Sequence, residues 1–74
     1  MAQVLHLWKS GADPGLATDM MTVQLGAGDT VTLAVLDGPV PAVPAHVAVR
    51  RLGGDLTYGE LVALIFDADH VVPW

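Results

Sequence analysis

Apolar residues come in short runs whose spacing changes along the chain, and that spacing predicts the elements. Gln3–Trp8 (Gln-Val-Leu-His-Leu-Trp) is apolar without helical spacing and is followed at once by Lys-Ser-Gly, which predicts a strand buried on both faces. Asp13-Pro14 then reads as a helix start, with an acceptor side chain at the cap and a proline preset for the first helical position. Leu16, Ala17, Met20, Met21 and Leu25 recur at three- and four-residue steps and form the expected inward face, and Gly26 is the expected left-handed stop. Residues 29–36 are rich in β-branched side chains and end at Asp37-Gly38, which predicts a second strand. Strand, helix and strand in this order make a βαβ unit with a right-handed crossover.

Residues 38–45 hold Pro39, Pro41 and Pro44 and cannot be helical. Residues 46–52 predict a third strand. For it to run parallel to the second, the eight residues before it must retrace a strand of about seven, and at ~3.1 Å per residue they reach roughly 25 Å, just enough. An extended crossover is therefore feasible, and an antiparallel third strand stays open. Thr57-Tyr58-Gly59-Glu60 has the capping-box pattern, with Leu56 and Leu61 placed for a hydrophobic staple. The helix that follows carries Leu61, Val62, Leu64 and Ile65 as its expected inward face. Residues 69–74 predict a short last strand, whose Pro73 suits a sheet edge or a strand end. The sum is one α/β domain over residues 1–74, a small four-stranded, mostly parallel sheet with two helices in the order β-α-β-β-α-β.

Composition sharpens this picture. The chain has 74 residues, 53% of them hydrophobic and only 15% charged. That is more apolar side chain than one small core hides, so association with itself or with another chain is expected. Net charge is −5, with Lys9, Arg50 and Arg51 as the only strong cations. Three cations cannot build a phosphate-tracking surface, which argues against direct nucleic-acid binding, and an anionic membrane would repel the chain. No run approaches the ~18 apolar residues of a membrane span, and Lys9 follows the first apolar run where a secretory signal would have its charge in front. The expected location is the cytoplasm. There is no cysteine, so no residue can carry persulfide sulfur.

In open parallel sheets, ligands bind beyond the carboxyl ends of the strands. With all strands parallel, that edge collects Lys9, Ser10, Asp37, Gly38, Arg50, Arg51 and Trp74, a set suited to a small anion or to a partner's edge. Ordinary polar residues at strand ends explain the same set. His6, His46 and His70 lack a short ligand spacing and read as structural, so no metal is expected. Ser10 lacks the Gly-x-Ser-x-Gly setting of a nucleophile elbow. Gly26-Ala27-Gly28 follows a helix and precedes a strand, the reverse of a phosphate loop, and reads as a cap and turn. No catalytic set and no cofactor site emerge.

Leu5-His6-Leu7-Trp8-Lys9-Ser10 resembles the opening strand of the DsrH/TusB proteins, which often begin in Leu-His and end in a basic residue plus serine. Gly28-Asp29 and Asp37-Gly38 resemble the borders of that family's second strand. Leu56-Thr57-Tyr58-Gly59-Glu60-Leu61-Val62, followed by Ala68-Asp69-His70-Val71-Val72-Pro73-Trp74, looks like its closing helix and strand. The resemblance implies a DsrE/DsrF/DsrH-like fold and a role as the non-catalytic subunit of a sulfur-relay hetero-oligomer. In such assemblies a DsrE-type subunit bears the active cysteine, and the sulfur serves tRNA 2-thiouridine synthesis or sulfur oxidation. The chain departs from the family at two places: residues 39–45 replace a helix, and Gly53-Gly54-Asp55 replaces a longer stretch. A small anion- or metabolite-binding domain using the carboxyl edge is the competing expectation.

Overall fold

The computed structural model describes all 74 residues as six elements: β1 (Gln3–Trp8), α1 (Pro14–Gly26), β2 (Thr30–Val35), β3 (Ala48–Arg51), α2 (Tyr58–Asp67) and β4 (His70–Pro73). The strands form one sheet in the order β3-β2-β1-β4, and every pairing is parallel. The direction that the sequence left open for β3 is thus settled. β3 is shorter than the 46–52 expected, because His46 sits at φ 74° in a turn and only Ala48–Arg51 joins β2.

Residues paired across a parallel ladder share a face, so the register assigns each side chain to a side. Trp8, Val31, Leu33 and Val35 meet Ala17 and Met21 of α1 on one side. Leu5 and Ala34 meet Leu56 and Leu61 on the other, where α2 lies. Fully burying side chains such as Leu5, Met21 and Leu33 contributes about 1.5–3 kcal/mol each. β1 and β2 feed both clusters, which is why they read as continuous apolar runs. The β2–β3 crossover runs over the α1 side, where Val43 and Val47 pack on the core and the Thr18 hydroxyl donates to the Ala42 carbonyl at 3.1 Å.

Both helix starts form as their residues require. Asp13 accepts from the Gly15 and Leu16 N–H groups with Pro14 next in line. Thr57 and Glu60 close the capping box at 3.2 and 3.0 Å, with Leu56 and Leu61 in one cluster as the staple. α1 ends at Gly26 as expected, but the left-handed residue that closes it lies two positions further on. Gly28, not Gly26, takes the left-handed φ of 86°, and the Asp29 and Gly28 N–H groups bond the Gln24 and Leu25 carbonyls in a Schellman arrangement.

Both inward faces are narrower than the spacing predicted. Only Ala17 and Met21 of α1 are buried, with Gln24 and Leu25 half-buried, while Leu16 and Met20 are exposed. Of the α2 set, Leu61 is buried and Leu64 half-buried, while Val62 and Ile65 are exposed. A single helix laid on a sheet of four short strands touches it along one stripe. The adjoining apolar stripe, 16-20-23 on α1 and 58-62-65-66 on α2, stays in solvent.

Candidate functional site

The parallel sheet brings the ends of all four strands to one edge, and the expected site residues separate there into groups with different fates. Ser10, Asp37 and Gly38 converge: the Ser10 hydroxyl donates to Asp37 Oδ2 at 3.2 Å, and a Cβ on Gly38 would lie 2.8 Å from Ser10 Cβ. Gly38 also holds φ 80°, so both backbone and space call for glycine there. Beside this contact is a cleft of about 460 Å³ between the β1–α1 turn and the proline crossover, lined by Trp8, Ala12, Pro14, Pro39 and Pro41 among others. Its lining is mostly carbon, with Ser10 as its one polar side chain.

The arginines do not join that group. Arg50 pairs with Ala34 and Arg51 with Val35, which puts them on opposite faces of the sheet. The Arg50 guanidinium is engaged by its own chain: Nη2 donates to the Asp55 carbonyl at 2.8 Å and meets Glu60 Oε2 at 3.4 Å, while Nε lies 3.6 Å from Asp55 Oδ2. Asp55 is held below the ordinary carboxylate value, first by the Arg51 backbone N–H at 2.7 Å and then by the Arg50 charge. Glu60 is held down chiefly by the Thr57 backbone N–H, then by the Thr57 hydroxyl and Arg50. Arg50 therefore brings no spare charge to a ligand, and an anion at this edge would have only Lys9 and Arg51, both exposed.

Trp74 turns away from the edge. Its indole Nε1 donates to His6 Nδ1 at 2.8 Å, its ring stacks near His6 at a centroid distance of 6.0 Å, and Trp8 lies at 6.2 Å. His6 is wholly buried and its Nε2 stands 2.7 Å from Gln24 Oε1. An indole can only donate, so Nδ1 is the acceptor and Nε2 carries the proton. His6 is thus the structural histidine expected from the sequence, and Trp74 is its partner, not an edge ligand. His46 and His70 are exposed, and no three potential metal-ligating side chains come together.

The most open apolar surface lies on α2, where Tyr58 is 73% and Phe66 83% exposed and Val62 and Ile65 continue the stripe between them. Val71 of β4 is uncovered on the same side of the sheet, as its pairing with Leu5 requires. At the start of α2 a second cleft, of about 360 Å³, is bounded by Leu52, Gly53, Gly54, Leu56, Thr57 and Tyr58. The expected set of edge residues contains none of this stripe. Its signal was present in the sequence as apolar residues at i, i+4, i+7 and i+8 beside the buried i+3 line.

These features define an open, all-parallel α/β domain with apolar outer helix faces. No family model, curated protein or solved structure matches the chain in comparison. No helix is long and apolar enough to cross a membrane.

Proposed function

We propose that the chain is a non-catalytic subunit that works by holding a partner protein, in the manner of the DsrH/TusB component of a cytoplasmic sulfur-relay complex. The observation that carries this reading is the second, solvent-facing apolar stripe on each helix: Leu16, Met20 and Val23 on α1, and Tyr58, Val62, Ile65 and Phe66 on α2. Such surface on a small domain marks a contact with another protein. The missing thiol supports a supporting role in place of a sulfur carrier, and the resemblance of both chain ends to DsrH/TusB proteins points to a cysteine-bearing DsrE-type partner. The competing anion site draws little support, since Asp55 and Glu60 already take up the charge of Arg50.

The test is to incubate the purified chain with a labelled persulfide donor, alone and with co-expressed cysteine-bearing neighbours. Label resting on a partner, in a complex that needs this chain, is the expected result. Label stably bound to this chain alone would overturn the reading.

A further inference from the structure

α2 is apolar on more sides than its own sheet can cover. Its only charged residues, Glu60 and Asp67, are seven positions apart and so share one flank. That flank faces β3, because Glu60 Oε2 meets the Arg50 guanidinium at 3.4 Å. Leu61 and Leu64 face the sheet, so the flank opposite Glu60, which carries Tyr58, Val62 and Ile65, faces β4. Gly59, Ala63 and Phe66 form the outer face, and all three are exposed.

β4 lies uncovered at the foot of that flank. Its Val71 pairs with Leu5, on the α2 side of the sheet, and is 37% exposed. α2 packs over β1 and β2 through Leu5, Ala34, Leu56 and Leu61. With strands spaced ~4.8 Å apart, β4 runs roughly 7 Å to the side of the helix axis. A second helix packed against α2 at about 8–10 Å would stand above β4. The strand is thus a shelf one helix wide beside an apolar ridge.

We propose that the chain forms a two-fold dimer in which α2 of a second copy occupies this shelf, so that the two helices lie side by side between two sheets. The adjacency of ridge and shelf selects the occupant. A foreign helix on the shelf would cover Val71 and the flank but leave Phe66 in water. A second copy, related by an axis along the helices, covers both: its α2 fills this shelf, and its own shelf receives the outer face of this α2. Gly59 and Ala63 keep that outer face low enough for a sheet to close on it. Tyr58, Val62 and Ile65 are spaced by four and then three, the spacing at which two parallel helices interlock. No charged side chain of α2 lies on the contact face, since Glu60 and Asp67 are on the far flank. Joining two β4 edges into one continuous sheet would instead hold the helices about 19 Å apart and leave both flanks bare. Tyr58 and Phe66 expose roughly 300 Å² of ring surface. With Val62, Ile65 and Val71 the face reaches the roughly 600 Å² per partner at which specific interfaces begin. This dimer goes beyond the subunit reading: it stands with or without a cysteine-bearing partner and leaves the α1 stripe to one.

Sedimentation equilibrium of the full chain at about 5–100 μM should show a species of twice 7.7 kDa. Ala63→Arg and Phe66→Ser, both at exposed positions, should each weaken the dimer about tenfold or more, and Leu16→Ser on α1 should leave it unchanged. Circular dichroism checks that the variants fold. Because the chain has no cysteine, a single Val62→Cys supplies a distance probe. Helices side by side at about 10 Å bring facing Cα atoms to about 5–6 Å, within reach of a disulfide. Air oxidation should link Val62→Cys into a dimer at least about tenfold faster than Asp67→Cys on the far flank.

A 7.7 kDa species across that range would overturn the proposal. So would a dimer that Leu16→Ser breaks and Ala63→Arg does not, or equal cross-linking of the two cysteine variants. A monomeric chain that still assembles with a cysteine-bearing neighbour removes the dimer and leaves the subunit reading. A dimer that binds no such neighbour does the reverse.

Discussion

Replacing Trp74 by phenylalanine tests the one fully buried polar group of the protein. His6 has no contact with solvent, and its two ring nitrogens have one partner each: the Trp74 indole at 2.8 Å and Gln24 Oε1 at 2.7 Å. Phenylalanine keeps a ring beside His6 and Trp8 but has no N–H, so Nδ1 becomes an acceptor with nothing to accept. An unpaired buried polar group costs about 1–3 kcal/mol, and the lost part of the indole adds about 1 kcal/mol of packing. For a domain of this size each kcal/mol lowers the melting temperature by about 4–8 °C. Trp74→Phe should therefore melt about 10–30 °C below the wild type.

The decisive comparison adds His6→Phe and the double variant. With both partners apolar neither Nδ1 nor the indole N–H is left unpaired, and the loss of the Gln24 contact is common to His6→Phe and the double variant, so the double variant should be more stable than the sum of the single effects by about 1–2 kcal/mol. Urea unfolding of the four proteins gives that coupling energy. Single effects that add within about 0.5 kcal/mol would refute the hydrogen bond. So would nitrogen chemical shifts of His6 showing the proton on Nδ1, since the indole leaves that nitrogen only an acceptor's role.

Three further outcomes follow from local geometry. Thr57→Ala should destabilise the fold by about 1 kcal/mol through loss of the α2 cap, and Thr57→Ser should not; an unchanged urea midpoint in Thr57→Ala would show the cap to be idle. His46→Gly should raise stability by about 0.5–1 kcal/mol, since relief of a left-handed φ exceeds the chain entropy of glycine, and a lower melting temperature would contradict it. Asp55 and Glu60 sit below their ordinary values of 3.8 and 4.5, so the unfolded chain takes up protons first as pH falls. The stability they contribute is whole above about pH 5 and is lost as pH drops through their lowered folded values, and Asp55→Asn should flatten that loss in a urea titration across pH.

The fold was legible because its signals are local. The Asp13-Pro14 start, the Thr57 to Glu60 box and the continuous apolar runs of β1 and β2 each need only their neighbours to be read. The edge residues were harder to read because their roles are set by long-range partners. Arg50 is consumed by Asp55 and Glu60, and Trp74 by His6, which lies 68 residues away in sequence. Parallel pairing brings the strand ends to one edge, but the alternation that sends Arg50 and Arg51 to opposite faces depends on the register with β2. Helical periodicity predicted which residues of α1 and α2 were apolar. It could not tell which of two adjoining apolar stripes the sheet would cover.

That choice decides where the apolar excess of the chain ends up. One helix per side of a four-stranded sheet suggests bare sheet as the interface, yet apart from Val71 of β4 the uncovered parts of this sheet carry no large exposed apolar side chain. On the α2 side, β2 and β3 present Thr30, Thr32, Ala48 and Arg50, which sit in water without cost. On the α1 side, β3 presents Val49, and there the crossover brings Val43 and Val47 onto the same cluster. The proline segment thus does the covering that a third helix would do, and does it only where the strand beneath is apolar. With the sheet accounted for, the surplus lies on the outer rows of the helices, where no element of this chain can reach it. A surface that the fold itself leaves uncovered is one that another protein can cover without displacing anything.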